Sequence, residues 1–421
     1  MSTNEQSAPS PTLHRGKGYL VYLMAYMGLV AIMDQYLSTV KTTAIPYVLK
    51  EYGISAARFS WLEALYLISS FFIFALNGLN DIIGRKWAIL VLVLLMGLAS
   101  LGILVFTPSL HLFMLFYALA IYATVSNMWT IPISEESPTE SRARNVSIVY
   151  VIGLLPLQAL LPPLLIERWG LDWRWMYGAM FVLMIPLLVM WLFMRETHRY
   201  NRVSDERTAG RRRRHLFGLG VIDRHDLRYI LISAGVWLAW LTYQVLYYWA
   251  GYYFMTLKGY SLSQWSLVLL GTLVMAMLGG AAGGWLMDRI GRNRALILGC
   301  LGLALFVGAL AYAEGIWLPL AAAVSGFFTS FSYTWIVVFV PEIFPTERRG
   351  ACMGWTTTLA RVSYVAGPAL AAVLLNRSPD MQLFWLVTAA VGLLPIAIVL
   401  LFSPHETREQ ALEEIEVRRR R

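Results

Sequence analysis

Apolar runs of about twenty residues, the length that crosses a hydrocarbon core, follow one another along most of this chain. They predict helical spans over residues 18–41, 59–80, 86–106, 110–134, 145–167 and 174–194. After a charged stretch, six more are predicted over 228–255, 263–287, 294–313, 315–341, 350–375 and 382–402. The expected fold is an all-α membrane protein with twelve transmembrane helices. Its expected organisation is a polar lead (1–17), a six-helix bundle (18–194), a linker (195–227), a second six-helix bundle (228–402) and a charged tail (403–421).

The two bundles repeat each other. Asn77-Gly78-Leu79-Asn80-Asp81-Ile82-Ile83-Gly84-Arg85-Lys86 is answered by Gly284-Trp285-Leu286-Met287-Asp288-Arg289-Ile290-Gly291-Arg292-Asn293. Asp81 and Asp288 are 207 residues apart, as are Arg85 and Arg292, Glu135 and Glu342, and Arg142 and Arg349. Arg195-Glu196-Thr197 after the sixth span is echoed by His405-Glu406-Thr407 after the twelfth. Two parallel six-helix halves about an axis normal to the membrane form a transporter architecture.

Composition and charge add compartment and orientation. Of the 421 residues, 58% are hydrophobic and 14% are charged, too apolar for a soluble protein of this size. The first apolar run is too long for a signal-peptide core and reads as an anchor. Basic residues gather in the loops on the side of the chain ends: Arg85, Lys86, Arg142, Arg144, Arg211 to Arg214, Arg289, Arg292, Arg294, Arg348 and Arg349. The positive-inside rule then puts both termini in the cytosol and accounts for the net charge of +9 without nucleic-acid binding. Cys300 and Cys352 lie in or beside apolar runs and read as packing residues. No phosphate-cradling loop, metal-ligand cluster or nucleophile–base pair stands out, and the six histidines fall outside or at the ends of the spans. A non-enzyme without cofactor or metal is expected.

With its duplicated loop, the chain resembles the major facilitator superfamily. That family's pattern, Gly-x-x-x-Asp-Arg-x-Gly-Arg-Arg, is met by Gly284, Asp288, Arg289, Gly291 and Arg292, and in the first copy by Asp81, Gly84, Arg85 and Lys86. Asn77 and Ile82 depart from it. The run Pro341-Glu342-Ile343-Phe344-Pro345-Thr346-Glu347-Arg348-Arg349-Gly350 and the tail Pro404-His405-Glu406-Thr407 look like the sugar-porter branch. Thr358-Leu359-Ala360-Arg361-Val362 with Gly367-Pro368 looks like the eleventh helix of organic-anion and aromatic-acid transporters, where such an Arg contacts the anion. Residues 42–58 leave only a short external loop, so a bacterial metabolite:proton symporter in the inner membrane is the nearer analogy. The resemblance implies that Asp81, Arg85, Asp288 and Arg292, extended by Glu135, Arg142, Glu342 and Arg349, latch one half to the other on the cytosolic side. The plainer alternative is that they are topological stop signals.

Ionisable groups inside the hydrocarbon are functional candidates by default. Arg361 falls about 16 Å into its span, near the midplane, and its repeat counterpart is Leu154. The fold therefore does not require a cation there, and a planar guanidinium suits a carboxylate. Asp34 is a candidate proton carrier or a static partner of Lys41 or Arg361, and Glu63 is a weaker proton candidate that could sit at the interface. Trp240, Tyr243, Gln244 and Tyr247 fall on one face of the seventh span and are expected to line the cavity. The later tyrosines of that span are expected to form an interfacial belt. Trp129 and Trp335, 206 residues apart, either stack on a substrate ring or pack. Gly279, Gly280, Gly283 and Gly284 promise close helix approach, and Pro156, Pro162, Pro163 and Pro368 promise kinks.

The expectation is a monomeric secondary transporter moving a small organic anion (a carboxylate or aromatic acid) together with a proton. The alternatives are a sugar porter, a multidrug or organic-cation exporter, and a non-transporting membrane receptor or scaffold.

Overall fold

The computed structural model describes residues 16–126, 128–138, 141–198, 200–201, 222–344 and 349–407; for Phe74, Asn77, Leu79, Asp81, Arg142, Ala143, Arg349 and Gly350 it describes the backbone alone. The expectations for Asp81, Arg142 and Arg349 therefore concern side chains outside the described residues. Among the described residues, ten helices are long and apolar enough to cross a membrane. They are Lys17–Thr39, Arg85–Val105, Arg144–Arg168, Trp175–Phe193, Arg224–Leu257, Leu262–Ile290, Arg292–Ala309, Trp317–Ile343, Ala351–Arg377 and Gln382–Phe402. The second and fourth crossings are interrupted: Ala56–Tyr66 passes through a 3₁₀ stretch, Leu67–Phe72, into Ile73–Ile82, and Leu110–Thr124 stops before Thr130–Glu136. The result is the expected twelve-helix, two-bundle arrangement. Residues 42–52, expected as part of an external loop, are instead helical: Lys41–Tyr52 follows the first span with only Val40 between them.

On the face carrying the chain ends, each half ties its own loop together. Arg85 forks onto Glu135 (2.9 and 3.1 Å) and reaches the Asn80 carbonyl at 2.7 Å. Arg292 forks onto Glu342 (3.0 and 3.2 Å) and meets Asp288 at 2.6 Å. The echoed Glu-Thr pairs complete both clusters. Glu196 accepts the backbone N–H groups of Arg85 and Lys86 (2.9 and 3.1 Å), and Glu406 accepts those of Arg292 and Asn293 (2.9 and 3.1 Å). A carboxylate is favoured there because a helix N-terminus offers unpaired N–H groups and a positive dipole end. Thr197 and Thr407 then donate to Glu135 and Glu342 at 2.7 and 2.6 Å. Gly84 and Gly291 sit at φ of 93° and 100°, where a side chain would be strained and would also strike the gripping glutamate. In this state the described ion pairs of Arg85 and Arg292 close within their own halves: Arg85 meets Glu135 on the fourth span, and Arg292 meets Asp288 on the eighth and Glu342 on the tenth.

On the opposite face the halves meet directly. Trp265 donates to Thr43 at 3.0 Å, Ser60 to the Pro368 carbonyl at 2.8 Å, and the Ser263 hydroxyl to Glu167. Phe59 and Trp249 pack edge to face. Gly251 lies so close to the Thr42 backbone that a Cβ would come within 1.7 Å of its carbonyl oxygen. One buried apolar core runs from the first half into Trp249, Tyr253, Trp265 and Trp385, whereas Trp335, Phe339 and Met287 belong to a separate core toward the other face. The expected belt is corrected accordingly. Trp249 and Tyr253 are buried in this seam, the latter donating to the Leu310 carbonyl at 2.7 Å. In the eighth span Gly279 and Gly283 face the Phe327 and Phe331 backbones closely, while a Cβ at Gly280 or Gly284 would only touch Ser330 or Thr334 at 3.9 Å, so the Gly279–Gly283 spacing is the one that close packing requires.

A buried ion pair stands beside the seam. Lys41 Nζ lies 2.5 Å from Glu63 Oε1, which also accepts from the Tyr117 hydroxyl at 2.7 Å, and the ammonium stands 5.7 Å from the Tyr248 ring centre in the other half. Glu63 is therefore buried and paired, and Lys41 meets Glu63, not Asp34. Removing one member leaves a buried charge uncompensated, at a cost of about 3–5 kcal/mol. Thermal unfolding should show Lys41→Met destabilised on that scale, with Glu63→Gln added to it restoring most of the loss; a double variant no better than the single would contradict the pairing. Gly251→Val should hold the seam apart. In detergent, a Thr43→Cys reporter would then react with maleimide much faster than in the Gly251 background, and equal rates would show that the contact does not limit closure.

Candidate functional site

Two helix breaks face each other at the centre of the protein. In the fourth span, Pro132 lacks an N–H and its ring crowds the carbonyl four residues back, and the helix stops at Thr124 and resumes at Thr130. In the eleventh, the hydroxyls of Thr356, Thr357 and Thr358 bond back to the carbonyls of Cys352, Met353 and Gly354 (2.8, 2.8 and 2.9 Å), a pattern that loosens and bends helices. That helix stops at Ala360 and restarts at Ser363, and the Arg361 N–H is shared between the Thr357 and Thr358 carbonyls. The repeat keeps the break but not the side chain, since Leu154 in the fifth span shares its N–H in the same way between the carbonyls of Tyr150 and Val151.

Arg361 crosses from one break to the other. Its Nη2 donates 2.8 Å to the Val125 carbonyl in the first half, and the guanidinium lies 5.6 Å from the Tyr364 ring centre. Nη1 reaches the Tyr364 hydroxyl only at 3.5 Å, and Nε is buried with no partner. The side chain is 4% exposed and forms no ion pair with any described residue. Guanidinium does not lose its proton in proteins, so this is a buried full charge whose hydrogen bonds are neutral and few. Such a charge is costly unless an anion complements it.

Asp34, 1% exposed, lies within the electrostatic reach of Arg361 without bonding to it. Its Oδ2 accepts 3.1 Å from Gln35, while Oδ1 is buried without a partner. Trp129 Nε1 lies next to the carboxyl without meeting hydrogen-bond geometry. Asp34, Trp129 and Arg361, from the first, fourth and eleventh spans, are thus brought together as one site. The arrangement can hold one more negative charge at Arg361 and one proton at Asp34.

Other expected site residues part company with it. Trp335 is fully buried, stacked 4.3 Å from Phe339 and bonded to Asn293, in the second half's separate core. It is a packing residue, and the reason is register: at the 207-residue spacing Trp129 corresponds to Ile336, and one residue turns a helical side chain by about 100°. Trp240, Tyr243 and Tyr247 direct their polar ends into the tenth span, on Thr329, Ser332, Ala322 and Ser325. Gln244 is half-buried, and its amide makes no hydrogen bond with a described residue. Tyr150, Tyr333 and Tyr364 were not singled out from the sequence, yet all three stand by the charged pair. Tyr364 lies three residues from Arg361, and Tyr150 four from Leu154, so helix spacing around the broken repeat was the available signal.

The same architecture is found in solved proteins. An inward-open structure of the xylose transporter XylE from Escherichia coli superposes with a TM-score of 0.73 at 18% identity, covering 95% of this chain and 99% of that one. YwtG of Bacillus subtilis, assigned to metabolite transport, is 26% identical over 94% of both chains. The glucose transporter GlcP of Staphylococcus epidermidis is 24% identical over 94% of this chain and 96% of its own, and the gentisate transporter of Corynebacterium glutamicum is 25% identical over 82% and 79%. The family model for the Major Facilitator Superfamily matches residues 24–320 and 266–420. With two repeated bundles meeting at a buried charged site, this multi-pass membrane transporter belongs to the major facilitator superfamily.

Proposed function

We propose that the chain carries a small organic anion, a carboxylate, together with a proton, by alternating access at the Arg361–Asp34 site. The observation that carries this reading is the buried guanidinium of Arg361, which has no carboxylate partner among the described residues and replaces a leucine of the repeat. A carboxylate offers two oxygens to its planar fork, and a proton on Asp34 offsets the charge that the anion brings. Lys41 and Glu63 already neutralise each other, which leaves Asp34 as the proton carrier. A relative named for gentisate, an aromatic carboxylate, supports the substrate class. The basic loops support an inner-membrane orientation with both termini in the cytosol, in which the sealed seam is the outer face and the site opens inward. In the opposite state, the charges of Asp81, Arg85, Glu135, Arg142, Asp288, Arg292, Glu342 and Arg349 would close the cytosolic face.

In proteoliposomes, Arg361→Ala should lower carboxylate uptake by about thirtyfold or more, the scale for removing one partner of a buried charged contact; normal uptake would sink the anion role. Asp34→Asn should still exchange labelled for unlabelled anion but lose acceleration by an imposed pH gradient. If a gradient still drove that variant, the proton would travel elsewhere.

A neutral sugar is the second reading, favoured by the uncommitted Gln244 amide and by the relative named for glucose. Glucose binding that Gln244→Ala abolishes and Arg361→Ala leaves intact would select it.

A further inference from the structure

We infer that Tyr150 and Tyr333 form a ring-recognition subsite beside Arg361, so that the preferred anion is an aromatic carboxylate bearing a hydrogen-bonding substituent. This rests on the organic-anion reading and adds the shape and decoration of the substrate's body.

Each half brings one tyrosine to the site, backed by a tryptophan, the first pair stacked and the second tilted. Tyr150 of the fifth span lies against Trp129, with centres 6.4 Å apart and planes 15° from parallel; Tyr333 of the tenth lies against Trp240 at 4.5 Å and 31°. Tyr150 is within electrostatic reach of both Asp34 and Tyr333, and Tyr333 of Arg361 and Tyr364. The two phenols therefore flank the charged pair from opposite halves. Tyr150 lies deep in the bundle yet keeps 39% of its surface accessible, so it lines a cavity and is not packed away.

Tyr26 and Tyr36 also leave their hydroxyls without a partner among the described residues, but they are sealed in the core; the hydroxyls of Tyr150 and Tyr333 stand beside the charged pair. Tyr117, Tyr243, Tyr247 and Tyr253 each spend the phenol on a partner within the protein. Tyr150 and Tyr333 make no hydrogen bond with any described residue. With Tyr150 open and Tyr333 half-buried beside Arg361, both hydroxyls are placed to donate to, or accept from, a ligand. Arg361 Nε, Asp34 Oδ1 and Trp129 Nε1, all buried and unpartnered, close the same space at its charged end. A flat ring fits between stacked faces and gains from them beyond its area. A saturated ring of the same size does not.

The test is binding to the purified full-length protein in detergent, by calorimetry, with benzoate, the three monohydroxybenzoates and cyclohexanecarboxylate. Benzoate should bind about tenfold more tightly than cyclohexanecarboxylate, and at least one hydroxybenzoate more tightly again. Tyr150→Phe or Tyr333→Phe, which keep the ring and the packing, should erase the hydroxyl advantage and spare benzoate. Tyr333→Leu should weaken benzoate to the level of cyclohexanecarboxylate. Equal binding of the flat and saturated acids, unchanged in these variants while still abolished by Arg361→Ala, would overturn the ring subsite and leave the anion reading standing. If no carboxylate bound, or Arg361→Ala changed nothing, both would fall.

Discussion

A full positive charge held inside an apolar bundle organises the centre of this protein. Arg361 is kept there because a broken helix in the other half turns an unpaired carbonyl, that of Val125, toward it. One neutral hydrogen bond does not balance a guanidinium in a low-dielectric interior, so the site holds an unmet demand for negative charge. Asp34 stands close enough to feel the cation but not to neutralise it by contact. Had the two met in a bidentate pair, the site would be a structural ion pair like that of Lys41 and Glu63, and anion binding would have to compete with it.

The architecture was legible because it rests on signals that repeat. Span length and the 207-residue offset do not depend on any single side chain. The paired Arg85–Glu135 and Arg292–Glu342 forks follow from that offset. The offset was also informative where it failed: Arg361 opposite Leu154 marked the site. Asp34 and Lys41, by contrast, were separable only in three dimensions. Both lie in one apolar run, but seven residues place them about two turns apart, and Lys41 meets Glu63 on the second span. Trp335 misled because a 206-residue offset looks like a 207-residue one on paper and is a third of a turn away on a helix.

What stayed hidden is mostly tertiary. Tyr150 and Tyr333 are ordinary tyrosines among many, and only their place beside the charged pair, with hydroxyls that meet no described residue, distinguishes them. That property belongs to the assembled bundle. The Glu-Thr pairs after the sixth and twelfth spans were visible as an echo, but their work was not. They cap the first turns of the third and ninth spans and bind the arginine-bearing glutamates in one grip. Each half is thereby stiffened at the loop where its charges cluster, so relative motion is directed to the boundary between halves.

At Gly251 and Thr42 that boundary is main chain against main chain. Side chains at an interface yield by changing rotamer and act as springs. Two backbones in contact have nothing to yield, and so act as a mechanical stop. The closing angle of the two halves is then set by chain geometry. The surrounding hydroxyls and aromatic rings govern how readily the halves part, and leave unchanged how far they come together.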